Sequence, residues 1–206
     1  MNAAEAFARL RRVGVPVIRT ADAAAALRQT TFAASQTLSR LHRAGLVSRI
    51  RHGLWWLDGP VDVYRLPEHL TAPFPSYVSL HSALHVRGVV EQIPEIVYVV
   101  SLARTQRITT RAGALSIHHV APEVFGGFEE TAEGVKLATA EKALFDVAYL
   151  SAGRSRRFTN LPEIELPRGF RRAELARWLQ RITSPRSRTI TERKLEQLLA
   201  RAVQRK

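Results

Sequence analysis

Between Thr20 and Leu57 the chain sets two helix-forming stretches in succession, stops the second at a glycine, and follows it with two short β-prone runs around another glycine. This order leaves few ways to fold. Thr20 is suited to cap a helix running through Ala23, Ala24 and Leu27 to near Gln29, and Thr30 or Thr31 is suited to cap the next, Phe32 to Arg43. Gly45 falls just past that helix, where a left-handed residue is needed. Leu46 to Ile50 and Leu54 to Leu57, joined by Arg51-His52-Gly53, then read as a β-hairpin. Trp55 and Trp56 alternate along its second strand, so one is expected in the core and the other half-exposed. Upstream, Ala3 to Arg12 is helix-prone with Phe7 and Leu10 on its apolar side and Gly14 at its end, and Val15 to Ile18 is an extended entry.

On the Phe32–Arg43 helix, Ala34, Leu38 and Leu41 recur at i, i+4 and i+7 and form one buried stripe. The side chains facing away are Ser35, Gln36, Ser39, Arg40 and Arg43, types that hydrogen-bond base edges and phosphates. The hairpin tip adds Arg49, Arg51 and His52, and no acid interrupts the series. Paired helices with a polar outer face and a basic hairpin spell a winged helix-turn-helix. The second helix would enter the major groove, with Ser35, Gln36, Ser39 and Arg40 on bases, and Arg43, Arg49 and Arg51 would meet phosphates or the wing groove. Ser39 and His52 also suit capping or filling roles, and the same fold can serve protein contacts alone.

Charge supports an anionic partner. The 206 residues carry a net charge of +13, with 27 Arg and only 4 Lys, a bias that a GC-rich genome also produces. Its distribution is uneven: residues 1–60 contribute +6, residues 61–150 contribute −3, and residues 151–206 contribute +10. The absence of cysteine excludes disulfide scaffolds, thiol catalysis and thiolate-bound zinc. No apolar run reaches membrane-spanning length and Met1 to Leu10 lacks the apolar core of a signal peptide, so a cytoplasmic protein without membrane contact is expected.

Boundaries follow the charge. Asp58 to Pro75, with Gly59, Pro60, Pro67, Pro73 and Pro75, reads as a connector, and Ser151 to Gly169, rich in Arg, Ser and Pro, separates the middle from a helical tail. In the middle, Tyr77 to Arg87 reads as a helix ended by Gly88, and Glu95 to Ser101 as a buried strand. A hairpin of Arg107–Thr110 with Ala114–Val120 follows, then short strands near Val124–Glu129 and Val135–Leu137. Thr139 or Ala140 opens a helix with Ala143, Leu144, Val147 and Leu150 inward. Lys142 and Asp146, at i and i+4, suit either a surface ion pair or a buried bond between helix and sheet. The tail holds two amphipathic helices, Arg171 to Ile182 (Leu175, Trp178, Leu179 and Ile182 inward) and Thr191 to Val203 (Leu195, Leu198, Leu199 and Ala202 inward). The expected class is α+β: a winged helix-turn-helix domain over 1–60, then a small α+β domain over 61–206. That second domain would have a helix on each side of its sheet and a basic helical tail from about residue 170.

Thr20-Ala21-Asp22, Leu38-Ser39-Arg40-Leu41, Ala44-Gly45-Leu46-Val47, Arg49-Ile50-Arg51-His52-Gly53-Leu54, Ser79-Leu80-His81-Ser82-Ala83-Leu84, Gly126 and Ala138-Thr139-Ala140-Glu141-Lys142-Ala143-Leu144-Phe145-Asp146 stand in an order that resembles the AbiEi family of antitoxins. The resemblance covers roughly residues 5–150. It implies an antitoxin of a bacterial type IV toxin–antitoxin system, some of which are linked to phage defence. Such a protein binds inverted repeats of double-stranded DNA in its own promoter through the winged helix and represses the operon. Its C-terminal part counters a nucleotidyltransferase toxin without a stable complex. The last segment is variable in the family, so the +10 tail draws nothing from the resemblance.

Two other readings compete. His81 and His85, at i and i+4, with His118 or His119 and with Glu141 or Asp146, are the material of a metal-dependent nuclease or hydrolase. The intervening glutamate of the HExxH pattern is missing, since Ser82 follows His81, and adjacent histidines on a strand face opposite ways. Neither a Walker loop nor a GxGxxG stretch occurs, and Gly126-Gly127 reads as a turn. No enzyme, metal or cofactor is therefore expected. A winged-helix regulator whose middle domain senses a small molecule is the remaining alternative.

Overall fold

The computed structural model describes residues 2–152 and 163–204. The fold is α+β, and the chain divides into two compact units, residues 2–63 with 109–113, and the remainder of the described residues. Among the described residues no helix is long and apolar enough to cross a membrane.

The first unit runs α1 (Ala3–Arg11), β1 (Val17–Arg19), α2 (Thr20–Leu27), α3 (Thr31–Arg43), β2 (Ser48–Arg51) and β3 (Leu54–Trp56). The strands form one antiparallel sheet in the order β1-β3-β2, so the hairpin gains a third strand from the entry segment before α2. Leu10, Leu27, Leu38, Leu41 and Trp55 meet in a single core. Two local expectations change. Thr20 is the first residue of α2 and does not cap it; its Oγ1 instead accepts the indole N–H of Trp55 at 3.0 Å. Trp55 and Trp56 are both buried, at 3% and 0% exposure, so both faces of the central strand β3 are covered. Alternation places the two indoles on opposite faces; it does not say that one face is open.

The second unit contains α4 (Pro67–Thr71), β4 (Ser76–Val78), α5 (Leu80–Val86), β5 (Val97–Ser101), all but the tip residues 109–113 of β6 (Gln106–Thr110) and β7 (Gly113–His119), β8 (Phe128–Glu130), β9 (Lys136–Ala138), α6 (Ala140–Ala152), β10 (Ile164–Leu166), α7 (Arg172–Gln180), α8 (Pro185–Ala200) and β11 (Ala202–Gln204). Six strands make a mixed sheet in the order β6-β7-β5-β4-β9-β8, and β10 pairs in parallel with β11. Much of the stretch read as a connector is folded here: Leu66 and Leu70 are buried and Val63–Arg65 forms a 3-10 turn. Tyr77 is in a strand, not a helix, and α5 begins only after Ser79, where the chain turns through Leu80 at φ +53°. Aromatic Tyr77 and β-branched Val78 favour a pleated site between β5 and β9 over the first turn of a helix. The stretch near Val124 forms a 3-10 turn over Pro122–Val124, and the strand starts at Phe128.

Helices α5 and α6 pack against each other, so they share one face of the sheet where opposite faces were expected. Helix α6 also receives α7 and α8, and it is buried on every side from Ala140 to Ala148, while Leu150 is only half-buried. That is why its sequence shows a weak apolar stripe: a helix enclosed on all sides has no polar face to define one. Helix α8 starts six residues before Thr191. Ser184 caps it through the N–H of Ser187 at 3.3 Å, Pro185 occupies its first position, and Thr191 is buried in its interior with its hydroxyl bonded to Ser187 O at 2.8 Å. Leu179, Leu198 and Leu199 are half-buried. The polar stretch Ser151–Gly169 falls largely on residues 153–162, outside the described residues.

Candidate nucleic-acid interface

The exposed side of α3 and the β2–β3 hairpin bring together most of the residues read as contacting DNA. Helix α3 is held at both ends by local chemistry. Thr30 Oγ1 accepts the N–H of Ala33 at 3.2 Å, and at the far end Gly45 adopts φ +72°. That left-handed step lets the N–H of Leu46 reach the carbonyl of Leu41, and the N–H of Gly45 that of His42, both at 3.0 Å. Ala34, Leu38 and Leu41 are fully buried, and Thr37 joins them at 3% exposure.

Three rows leave the helix on its other sides. Gln36 and Arg43 stand on the outward row opposite the buried stripe, and both are exposed. Ser35 and Ser39 lie toward the hairpin and are half-buried. Arg40 lies on the remaining flank, where its Nη2 donates to Thr37 Oγ1 at 3.3 Å, and Thr37 in turn donates to Gln29 after α2 at 3.1 Å. The five residues therefore do not form a single row.

On the hairpin, Arg49 is half-buried and braced. Its guanidinium carbon sits 5.6 Å from the centroid of the Trp55 ring, and its Nη2 donates to His52 Nδ1 at 3.1 Å. Arg51 and His52 are exposed at the tip. A groove of about 260 Å³ runs between helix and hairpin, bordered by Phe32, Ser35 and Ser39 on one side and by Arg49 and His52 on the other. Between Asp22 and Asp58 the sequence has five arginines and no acid, so this surface is positive without internal cancellation. Phe32, 74% exposed at the start of α3, was missed as a surface residue. The signal was present: it is apolar, yet it falls opposite the Ala34–Leu38–Leu41 stripe on the helical wheel.

The chemistry of the second unit lies inside it. Lys142 and Asp146 form an ion pair with both side chains at 0% exposure, the buried alternative of the two left open by their spacing. Asp146 also accepts from Ser79 Oγ at 2.7 Å and Tyr77 Oη at 3.0 Å. The Lys142 ammonium lies 4.7 Å from the Trp178 ring centroid, 4.9 Å from Phe145 and 5.5 Å from Tyr77. Burial pushes the Asp146 carboxyl up and the Lys142 amine down, each partly opposed by the other's charge. Burial and the neighbouring Asp146 push the Tyr77 phenol well up. Gly127 closes the roof: at φ +72°, a Cβ there would meet Trp178 at 2.6 Å and Lys142 at 2.9 Å.

Of the histidines, His81 and His118 each lie against the Tyr98 ring, with centroids 5.2 and 6.1 Å away. His85 Nδ1 donates to Val90 O at 3.4 Å, His118 Nε2 pairs with Ser116 Oγ at 2.8 Å, and His119 Nδ1 donates to Leu102 O at 3.2 Å. Among the described residues no group of three or more His, Asp or Glu is placed to hold a metal ion. No protein-family profile and no curated protein matches the chain.

Proposed function

We propose that the first unit is a winged helix-turn-helix that binds double-stranded DNA. In this reading α3 is the recognition helix and β2–β3 the wing. The observation that carries it is the exposed, acid-free surface of α3 beside a basic hairpin whose Arg49 is already braced against Trp55. Ser35, Gln36, Ser39 and Arg40 read bases, and Arg43, Arg49, Arg51 and His52 hold phosphates or the wing groove. The resemblance to AbiEi antitoxins extends this to a cytoplasmic, non-enzymatic antitoxin. It represses its own promoter at inverted repeats and counters a nucleotidyltransferase toxin through the second unit.

A gel shift on the DNA upstream of its own gene tests the DNA-binding half. Arg40→Ala is expected to cost about 1–3 kcal/mol and to relax sequence preference at one base pair. Arg51→Ala is expected to weaken all sequences alike and to flatten the salt dependence. Unchanged promoter binding by the Arg40→Ala, Arg51→Ala double variant at moderate salt would refute the assignment. Co-expression with the product of the adjacent gene tests the antitoxin half: a neighbour that is not toxic, or toxicity that the full chain does not relieve, removes it.

A further inference from the structure

We infer that Phe32 reads the 5-methyl group of a thymine in the major groove, near an adenine read by Gln36, so that the recognised DNA contains an A·T element at this point. The inference rests on α3 being the helix that enters the groove. Phe32 is 74% exposed, against 44% and 42% for Val13 and Val15, the other large exposed apolar residues of the same unit. A phenyl ring left in water on an otherwise polar helix face gives up the stabilisation its burial would bring. Its position says where that ring is covered. It lies in the first turn of α3, and the N-terminal residues of a recognition helix are the ones that reach base edges.

The chemistry of the groove narrows the contact further. Its floor presents hydrogen-bond donors and acceptors from every base pair and a single apolar group, the thymine methyl. A phenyl ring has no hydrogen bond to offer, so among the base edges the methyl is its match. One helical turn further on, in the same outward row, Gln36 presents an amide. An amide carries a donor and an acceptor in the spacing of adenine N7 and N6. The two side chains are separated by roughly 6 Å of helix rise, which keeps their targets within about two base-pair steps of each other. Ser35 and Ser39, turned toward the hairpin, bond either kind of base and do not compete for this choice.

Selection from a pool of random duplexes with the full chain, and in parallel with Phe32→Ala, tests this. The wild-type chain is expected to recover a motif with a thymine position whose preference disappears in Phe32→Ala. Replacing that thymine by uracil, which lacks only the methyl, is expected to weaken wild-type binding about fourfold, the worth of one buried methyl, and to leave Phe32→Ala unaffected. Phe32→Leu should keep most of the preference. Because the ring is exposed, the thermal melting of Phe32→Ala should match wild type, so a loss of binding is not a loss of folding. Identical motifs from both proteins, or equal wild-type affinity for thymine and uracil, overturn the inference while DNA recognition by α3 stands. No enriched motif from either protein overturns both.

Discussion

The two units use polar side chains in opposite ways. On α3 and the hairpin, Gln36, Arg43, Arg51 and His52 are exposed, with side chains presented to solvent. Around α6, Lys142, Asp146, Tyr77 and Ser79 are buried and bonded to one another. Exposed polar groups cost the fold little and are available to a partner; buried ones must be satisfied internally, and each loss is felt as stability. The first arrangement suits recognition and the second suits holding a structure together. The network on α6 joins the helix to β4 through Tyr77, to Ser79 and to α7 through Trp178, which is a positioning role within the unit.

This contrast can be broken at either end. The largest effect is expected for Asp146→Ala, which strands a buried ammonium and should cost about 3–5 kcal/mol in denaturant unfolding. The Lys142→Met, Asp146→Leu pair should recover only part of that loss, because the buried hydroxyls of Ser79 and Tyr77 lose their acceptor. If Asp146→Ala unfolds no more easily than wild type, the network does not hold the unit. Leu38→Ala, fully buried beneath the outer row of α3, should cost about 2–5 kcal/mol and weaken DNA binding only in proportion to unfolding. Arg43→Ala should do the reverse: a melting temperature within error of wild type, with the slope of log affinity against log salt reduced by about one.

The smallest effect concerns pH. Burial lowers the pKa of both His81 and His69 below the ordinary 6.5. Between the lowered value and 6.5 the unfolded chain binds more protons than the folded one, so stability is full above 6.5 and lost as pH falls below it. His81→Gln should flatten that part of the stability curve measured by urea unfolding from pH 7.5 to 5.5. An unchanged slope would show that His81 takes up its proton without disturbing the fold.

The +13 charge divides along similar lines. Of the N-terminal arginines, Arg9 and Arg11 pair with Glu5 and Asp58 at 2.9 and 2.8 Å while Arg43 and Arg51 stand exposed on α3 and the hairpin, and several basic residues on and beside α7 and α8 are engaged within the second unit. Arg181 stacks 4.3 Å over Trp178, Arg177 pairs with Glu174 at 2.9 Å, and Arg188 Nη2 donates to Ile182 O at 2.7 Å. Arg154, Arg156, Arg157, Arg205 and Lys206 lie outside the described residues. Arg181 over Trp178 and Arg188 on Ile182 O thus account for part of the C-terminal charge as packing and capping, whereas the Arg177 pair lies on the surface.

Legibility in the sequence followed the range of the interaction. Helix α3 with its cap, stripe, terminal glycine and following hairpin could be read directly, because each signal lies within a few residues of what it controls. The reading faltered where a residue answers to distant neighbours. Thr20 looked like a cap until Trp55, thirty-five positions away, took its hydroxyl. Tyr77 looked helical beside Leu80 and Leu84, but β5 and β9 claim its backbone for a strand. The spacing of Lys142 and Asp146 allowed a surface pair or a buried one, and the sequence did not choose.

Periodicity, capping and local charge are short-range properties, so the residues alone settle the order of elements in the first unit and the acid-free face of α3. Burial depends on what arrives from elsewhere in the chain. Only the assembled fold covered both faces of β3 and buried both tryptophans, and only the packing of α5, α7 and α8 on α6 turned an i, i+4 ion pair into the buried centre of the second unit. The physical reason is that water decides the cost of each polar or apolar group, and tertiary contacts decide where water is.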